Sequence, residues 1–310
     1  MSTKPDVLDV LNSQILDDDR AKYLQTQSQL NATWTFEIVP NYFKQSLAET
    51  DETKFNYFDE HFGIIDSWER AFADLRSLNE KSDDNTVYKI FLLGRHGQGY
   101  HNMANLKYGE KAWNEHWLHL TGDGEIVWAP DPELTELGQA QAKDNNYQLK
   151  VELNRNLRIP TKWYSSPFRR SVDTLIGSWQ DIVDLKEVKP LIKEDFRETI
   201  GVHLCDKRST RSVISEKYGP LGFVIEDGFE EKDVYYKDDY REKVWEQALR
   251  QNRGFQDIFN STDKKGDAFI SITSHSGSIR TQLMVLNHRP FAIGTGGMIP
   301  VFVKATKRQL

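Results

Sequence analysis

Two histidines of this chain each stand one residue beyond an apolar run and lie close to a glycine. His96 comes after the run 88–94, and His275 comes after the run 268–273. Such runs predict buried strands, and open α/β sheets bind ligands at the carboxyl ends of their strands. A lone buried histidine is commonly structural, but the repetition favours a shared functional site. A neutral imidazole there can attack phosphorus and form a covalent phosphohistidine.

Arginines lie beside the same predicted strand ends. Arg95 directly precedes His96, and a third predicted strand, residues 162–166, leads into Arg169 and Arg170. Arginine suits a phosphate pocket because its planar guanidinium makes paired hydrogen bonds to phosphate oxygens and stays charged at any pH. We therefore expect Arg95 and Arg170 to bind the transferred phosphoryl group of a substrate.

Glu198 closes a fourth predicted extended segment, residues 194–198, and supplies a carboxyl group. Such a group can protonate a departing alkoxide and then accept a proton from an incoming water molecule. His275 would stabilise the charge that develops around the phosphoryl group. The residues together predict a metal-independent phosphomonoester hydrolase that acts through a phosphohistidine on His96.

The composition argues against several other classes of function. The net charge of -7 disfavours a nucleic-acid interface, because phosphates along a duplex need an excess of lysine and arginine. No run approaches the ~18 apolar residues of a membrane span, and residues 1–10 lack the pattern of a secretory signal. Cys205 is the single cysteine, so neither an internal disulfide nor a multi-cysteine zinc site can form. We expect a cytosolic or nuclear protein without metal or cofactor.

The elements that must position these residues alternate along the chain. From residue 88 onward, strands alternate with helices, which predicts a three-layer α/β/α fold with a mostly parallel central sheet. Helices are predicted over 64–78, 102–119, 134–142, 168–182 and 233–252. We divide the chain into an N-terminal extension, residues 1–85, packed on a catalytic domain, residues 86–310. Aromatic residues concentrated in 33–65 indicate that the extension packs against the main body.

Four motifs, in this order along the chain, resemble those of the histidine phosphatase (phosphoglycerate mutase-like) superfamily. They are Arg95-His96-Gly97 with Asn102, residues 166–174, Arg197-Glu198, and residues 274–280. The segments 97–102 and 197–208 are also similar to fungal phosphomutase-like proteins. The resemblance implies the phosphoglycerate mutase-like fold and assigns roles to five residues. These are His96 as nucleophile, Arg95, Arg170 and His275 as the phosphate pocket, and Glu198 as proton donor.

Further residues near these motifs are expected to contact the rest of a small phosphorylated substrate. They are Asn102, His203, Lys207, Arg208 and Ser276. For the segment 203–208, a solvated charged loop is an equally good interpretation. The sequence names neither the substrate nor the oligomeric state.

Two other functions stay open. Mutases of the family carry Arg-His-Gly-Glu-Ser in their first motif, whereas Gln98 and Gly99 stand here, and 199–203 replaces their Arg-His-Tyr-Gly segment. Because a mutase must shield its phosphoenzyme from water, these departures favour a phosphatase. The second alternative is a phosphate-binding or scaffolding protein with an idle site, in which residues 1–85 serve a partner.

His116 and His119 form the one further pair with ligand spacing. Three residues apart, they could share a helical face and hold a metal ion. No third ligand is evident nearby, so we interpret them as a solvent-facing pair.

Overall fold

A seven-stranded sheet organises the protein, of which the computed structural model describes residues 4–30 and 33–308. The strands are β1 (Trp34–Ile38), β2 (Thr86–Arg95), β3 (Lys162–Ser165), β4 (Leu191–Ile192), β5 (Val224–Ile225), β6 (Phe269–Ser274) and β7 (Met298–Lys307). Their order across the sheet is β1-β7-β2-β6-β3-β4-β5. The block from β2 to β5 is parallel, whereas β7 runs antiparallel to both β1 and β2.

Helices cover both faces of this sheet. They are α1 (Val7–Ser13), α2 (Asp17–Gln29), α3 (Trp68–Lys81), α4 (Tyr100–Tyr108), α5 (Glu110–Glu115), α6 (Glu136–Leu153), α7 (Arg169–Trp179), α8 (Leu185–Val188), α9 (Arg211–Tyr218), α10 (Val244–Ser261) and α11 (Ser276–Val285). Buried residues of α2, α10 and α11 share one core, and those of α3, α7 and α9 share the other. The predicted three-layer fold with a mostly parallel sheet is therefore confirmed.

Strand β2 shows why its sequence is almost continuously apolar. Phe91 and Leu93 pack into the core shared with α10 and α11, while Ile90 and Leu92 pack into the core on the opposite face. Each of these side chains is at most 2% exposed. A strand in the middle of a covered parallel sheet has no solvent face, so alternation of polar and apolar residues disappears.

The edge strand β1 and its neighbour β7 were not predicted from the sequence. Pro300 weakens the strand pattern of β7, because proline cannot donate a ladder hydrogen bond. Pro300 pairs with Leu92 of β2, while β1 pairs only with β7 residues 303–307. The proline thus lies where β7 has no β1 partner. Since β1 belongs to the predicted extension, that segment contributes a strand to the central sheet.

Residues 4–30 and 33–65 lie against the body of the protein. Helix α1 contacts α11, and α2 contacts α10. The indole nitrogen of Trp34 donates a hydrogen bond to Asn260 Oδ1 at 2.8 Å, and the Trp34 side chain is buried. Within the described ranges, no helix is long and apolar enough to cross a membrane.

Two predicted helices differ in the structure. The helix expected over 233–252 begins only at Val244, because the Asp233 carboxylate accepts hydrogen bonds from Arg197 and from the backbone N–H of Arg208. This tertiary ion pair holds the preceding residues in an irregular segment. The helix expected over 102–119 is divided at Gly109, whose positive φ of 79° ends α4 before α5 begins.

Candidate active site

The carboxyl ends of β2, β6 and β3 bring the two predicted histidines together. The backbone N–H of His96 donates to Ser274 O at 3.0 Å, and that of Ser166 donates to Thr273 O at 2.9 Å, which extends the ladders just past the strands. The ring centroids of His96 and His275 lie 5.0 Å apart. Parallel pairing therefore places residues that are far apart in sequence around one point.

His96 is held as a neutral base with one ring nitrogen free. Its Nδ1 lies 2.7 Å from Gly97 O, and because a carbonyl only accepts, Nδ1 must carry the proton. Burial, followed by the charges of Arg170 and Arg95, lowers the pKa of His96 well below its usual value. The Nε2 atom consequently keeps its lone pair for nucleophilic attack at neutral pH.

Close backbone packing fixes the loop that follows His96. A Cβ on Gly97 would overlap the carbonyl oxygen of Gly138, and a Cβ on Gly138 would overlap that of Gln98. The Gly97 N–H also donates to Thr174 Oγ1 at 2.9 Å. Glycine is needed at both positions because the loop lies directly against the first turn of α6.

Arg170 lies fully buried at the start of α7 and is neutralised by a carboxylate. Its Nη2 is 3.0 Å from Asp206 Oδ1, and its Nη1 donates to Cys205 O at 3.2 Å. The other oxygen of Asp206 accepts from Arg241 at 2.8 Å. Burial raises the pKa of Asp206, but Arg241 and Arg170 outweigh it and hold that pKa below its usual value. Arg169, one residue earlier, instead binds Glu133 and Asp131, as its different helix position predicts.

His275 caps the start of α11 with its ring directed toward His96. Its Nε2 contacts Ser166 Oγ at 2.7 Å and Ser171 Oγ at 3.3 Å, while its buried Nδ1 has no hydrogen-bond partner among the residues that the structure describes. Burial, and then the charge of Arg170, lowers the pKa of His275 well below its usual value. The ring is thus fixed in place and leaves one nitrogen for a ligand.

Glu198 lies at the N-terminus of α11, beside His275. Its Oε1 accepts from Thr199 N at 2.8 Å and its Oε2 from Gly277 N at 3.3 Å. A Cβ on Gly277 would overlap Glu198 Oε1, so only glycine leaves room for this carboxyl group. The extended segment predicted over 194–198 was wrong: β4 ends at Ile192, and residues 194–196 form a 3₁₀ turn.

Arg95 has a partner that sequence reasoning missed. Its Nη1 lies 2.6 Å from Asp9 Oδ1 and 2.6 Å from Ile293 O. Helix α1 turns Asp6, Asp9 and Asn12 toward the cleft, while Val7 remains 78% exposed. The spacing of three residues between these polar side chains could have indicated this contact, because residues three apart lie on one face of a helix.

A cleft of about 620 Å³ opens above these residues. Among the predicted site residues, those that line it are Arg95, Asn102, Glu198, His203 and Ser276. His96, Arg170 and His275 are more deeply buried, with at most 2% of each residue exposed. Asn102 accepts from Gly99 N at 2.9 Å and so also fixes the start of α4.

Lys207 and Arg208 do not belong to the lining of the cleft, contrary to the sequence prediction. The guanidinium of Arg208 donates to Glu194 and to the backbone carbonyls of Glu230 and Lys232, and it stacks on Phe229. Lys207 is exposed, with its ammonium over the ring of Tyr236. Both side chains contact residues of the segment 229–236 and so stabilise the part of the chain that follows Glu198.

His101 is a further residue of the site, and the sequence analysis gave it no role. Its ring centroid lies 5.4 Å from that of His96, and within the described part of the chain its buried Nδ1 has no hydrogen-bond partner. Burial, with Arg170 next, lowers its pKa well below its usual value. Its position within the segment 97–102 was the only sequence signal.

One group of side chains has the spacing of a metal site but the wrong electrostatics. Ligand atoms of His203, Cys205 and Asp206 lie within 4.8 Å of one another. Both oxygens of Asp206 are engaged by the guanidinium groups of Arg170 and Arg241, and burial raises the pKa of the Cys205 thiol. These neighbours favour an anion over a cation. The predicted solvent-facing pair, His116 and His119, is exposed.

The chain matches known proteins over most of its length. A profile of the histidine phosphatase superfamily (branch 1) matches residues 91–295. A protein of Arthroderma benhamiae named probable phosphoglycerate mutase is 36% identical over 288 residues, which are 87% of this chain and 84% of that protein. Phosphomutase-like protein 3 of Candida albicans is 34% identical over 84% of this chain and 78% of its own. A solved mycobacterial glucosyl-3-phosphoglycerate phosphatase with VO3 is 20% identical, with a TM-score of 0.39 over 68% of this chain and 92% of that chain.

The buried histidines predict a loss of stability on mild acidification. The folded protein keeps His96, His101 and His275 neutral below pH 6.5, whereas the unfolded chain protonates them there. The free energy of unfolding should therefore fall as pH drops through about 6.5, with a slope that approaches about 1.4 kcal/mol per pH unit for each histidine well below that pH. Urea unfolding at pH 7.5, 6.5 and 5.5 measures this slope. In His101→Gln the slope should be smaller by the contribution of one histidine. An unchanged slope would contradict the lowered pKa of His101.

The ion pair of Arg95 predicts that Asp9 weakens the binding of anions. Asp9→Asn removes a negative charge beside the phosphate pocket, so the inhibition constant of inorganic phosphate should fall about threefold or more. Isothermal titration with phosphate provides the same quantity without turnover. The exposed residue Asp84, changed to Asn, controls for net charge. Weaker phosphate binding in Asp9→Asn would mean that Asp9 mainly orients Arg95.

Proposed function

This chain belongs to the histidine phosphatase superfamily (branch 1), and on that premise we propose that it hydrolyses phosphomonoesters through a phosphohistidine on His96. The observation that carries the proposal is the state of His96. Its Nδ1 is bound to Gly97 O, its pKa is lowered, and Arg95, Arg170 and His275 surround it. A nucleophile, cationic groups and a carboxyl group thus meet at one end of the cleft.

In the first step, the lone pair of His96 Nε2 attacks phosphorus and the bond from phosphorus to the ester oxygen breaks. Glu198, in its protonated form, gives its proton to that oxygen, and the alcohol leaves. Arg95, Arg170 and the free Nδ1 side of His275 would stabilise the phosphoryl oxygens during transfer. The Nδ1 proton shared with Gly97 O holds the imidazole in its reactive orientation.

In the second step, a water molecule attacks the phosphorus of the phosphohistidine. The Glu198 carboxylate accepts a proton from this water, and the bond from nitrogen to phosphorus breaks. Inorganic phosphate leaves, and His96 returns to its neutral form. Glu198 is thereby reprotonated for the next cycle, so the residues present complete the reaction without a further group.

The size and lining of the cleft favour hydrolysis over transfer of the phosphoryl group to another hydroxyl of the substrate. Its volume of about 620 Å³ accommodates a small ester together with several water molecules, each of which occupies about 30 Å³. Gln98, two residues after His96, lines the cleft, and its side-chain amide group can hydrogen-bond water. A mutase needs the opposite property, because it must keep water from its phosphoenzyme.

Phosphomutase activity is the second candidate, and the relatives' names support it. Two of them are named probable phosphoglycerate mutase and phosphomutase-like protein 3. In that case the alcohol would stay bound after the first step and accept the phosphoryl group at another hydroxyl. The two activities share the His96 step and differ only in the acceptor.

Substitution of His96 tests the nucleophile. His96→Ala should lower the release of phosphate from p-nitrophenyl phosphate by about a thousandfold or more, because the proposed covalent intermediate forms on the His96 ring. His116→Ala, at an exposed histidine outside the cleft, is the matched control and should retain activity. Rapid quenching of the wild-type protein should trap an acid-labile phosphoprotein that the His96 variant lacks. A wild-type protein without phosphoprotein or turnover would support the scaffold alternative.

The fate of the phosphoryl group separates a phosphatase from a mutase. With 3-phosphoglycerate as the probe, ³¹P NMR should show inorganic phosphate accumulating about tenfold or more faster than any isomerised ester, because the cleft has room for water. The same incubation with His96→Ala shows whether both products need the phosphohistidine. Isomer without phosphate would establish the mutase instead.

A further inference from the structure

Helix α1 forms part of one wall of the cleft, although most of its surface is not packed against the protein. Of its residues Ser13 is buried, whereas Val7 and Leu11 are exposed. Its last turn accepts a hydrogen bond from Arg280 of α11, at the backbone oxygen of Asn12. Seven residues are too few for a helix to be stable in water by itself. The position of α1 therefore depends on its contacts with the cleft and with α11.

The Asp9 carboxylate makes the contact that joins α1 to the phosphate pocket. Its Oδ1 lies 2.6 Å from Arg95 Nη1, and the same Nη1 donates to Ile293 O at 2.6 Å. A terminal guanidinium nitrogen carries two protons, and these two acceptors use both of them. A phosphate oxygen that binds this nitrogen must therefore displace one acceptor. Asp9 is the one that can leave with less disruption, because it lies on a short and largely exposed helix.

The other arginine of the pocket has a carboxylate partner of a different kind. Asp206 is buried and binds Arg241 as well as Arg170, so its removal would leave two guanidinium groups without their carboxylate. Asp9 is only partly buried and pairs with Arg95. The Asp206 pair thus belongs to the fixed frame of the pocket, whereas the Asp9 pair can open with a movement of α1.

The first turn of α1 depends on the same Asp9 carboxylate. Its Oδ2 accepts from the Asp6 N–H at 3.2 Å, and the Asp9 N–H donates to Asp6 Oδ1 at 2.8 Å. This reciprocal capping box stabilises the start of the helix. Formation of α1 and the contact with Arg95 are therefore coupled, because one carboxylate serves both.

We propose that α1 is an autoinhibitory strap, in which the Asp9 carboxylate occupies Arg95 and an incoming phosphate group displaces the helix from the cleft. The inference rests on the proposed function, because it takes Arg95 as part of the phosphate pocket. Carboxylate and phosphate bind the same guanidinium nitrogen, so each weakens the binding of the other. Any change that destabilises α1 then shifts the protein toward the open cleft.

Amide hydrogen exchange on the full chain tests the strap directly. Exchange in residues 7–13 should become about fivefold or more faster when inorganic phosphate saturates the wild-type protein, as expected for typical coupling between two sites. Helix α3, which packs into the other core, should exchange at an unchanged rate. Exchange in residues 7–13 that stays the same or slows would overturn the proposal, because α1 would then remain in place or close over the phosphate.

Two substitutions at Asp6, the N-cap of α1, test the same coupling without altering Asp9 or Arg95. Asp6→Ser removes the charge but keeps a good N-cap, whereas Asp6→Ala removes both. The two variants have equal net charge, so their difference reports on the stability of α1. Isothermal titration should show inorganic phosphate binding Asp6→Ala about twofold or more tighter than Asp6→Ser. Equal binding by the two folded variants would overturn the strap.

The outcomes separate this inference from the proposed function. If His96→Ala still releases phosphate, the proposed mechanism fails, while exchange in residues 7–13 with bound phosphate still tests the strap. Unchanged exchange together with an acid-labile phosphoprotein would overturn the strap and leave hydrolysis through His96 in place. Absence of phosphate binding in both the wild type and Asp6→Ala would overturn the strap as well. If Asp6→Ala does not fold, the exchange measurement on the wild type decides.

Discussion

Positive charge buried at the carboxyl ends of parallel strands is the constraint on which the rest of the site depends. Arg170 is fully buried at the start of α7, where a lone guanidinium would be prohibitively costly. The Asp206 carboxylate compensates this charge, because it accepts a hydrogen bond from Arg170 with one oxygen and from Arg241 with the other. The segment after Glu198 must therefore fold back to deliver Asp206, which explains why the chain leaves the sheet there. Removing either partner alone would leave an unpaired buried charge.

Burial, reinforced by the same positive charges, keeps the histidines of the site neutral. Burial and the arginine charges lower the pKa values of His96, His101 and His275 together. Neutral imidazoles suit a nucleophile, and they also limit the total positive charge in the pocket. The lowered pKa values also reduce the stability of the fold in mild acid, because the folded protein binds fewer protons there than the unfolded chain. Reactivity of His96 and sensitivity of the fold to acid thus have one physical origin.

The N-terminal part of the chain is built into both the sheet and the cleft. Strand β1 pairs with β7, and helix α1 supplies Asp9 to Arg95 and a backbone oxygen of Asn12 to Arg280. Asp9 of α1 faces Arg95 while Val7 and Leu11 are exposed, so this helix does not bury a continuous apolar face. Residues on both sides of position 85 therefore contribute to the same sheet and line the same cleft.

The sequence alone determined the layer architecture and identified Arg95, Arg170 and His275, which the structure gathers around His96, but it gave no role to His101. Apolar runs that end in histidine, arginine or serine are local signals, and parallel pairing brings their ends together by geometry. Only the tertiary structure decided the partners of each charge: Asp9 for Arg95, Asp206 for Arg170, and Glu194 with backbone carbonyls for Arg208. Those contacts join segments far apart in the chain. The segment after Glu198, which carries Arg208, has no regular hydrophobic pattern from which its course could be predicted. Whether a given arginine faces the cleft or stabilises a loop depends on which acceptors surround its guanidinium in space, and residue order carries no record of that.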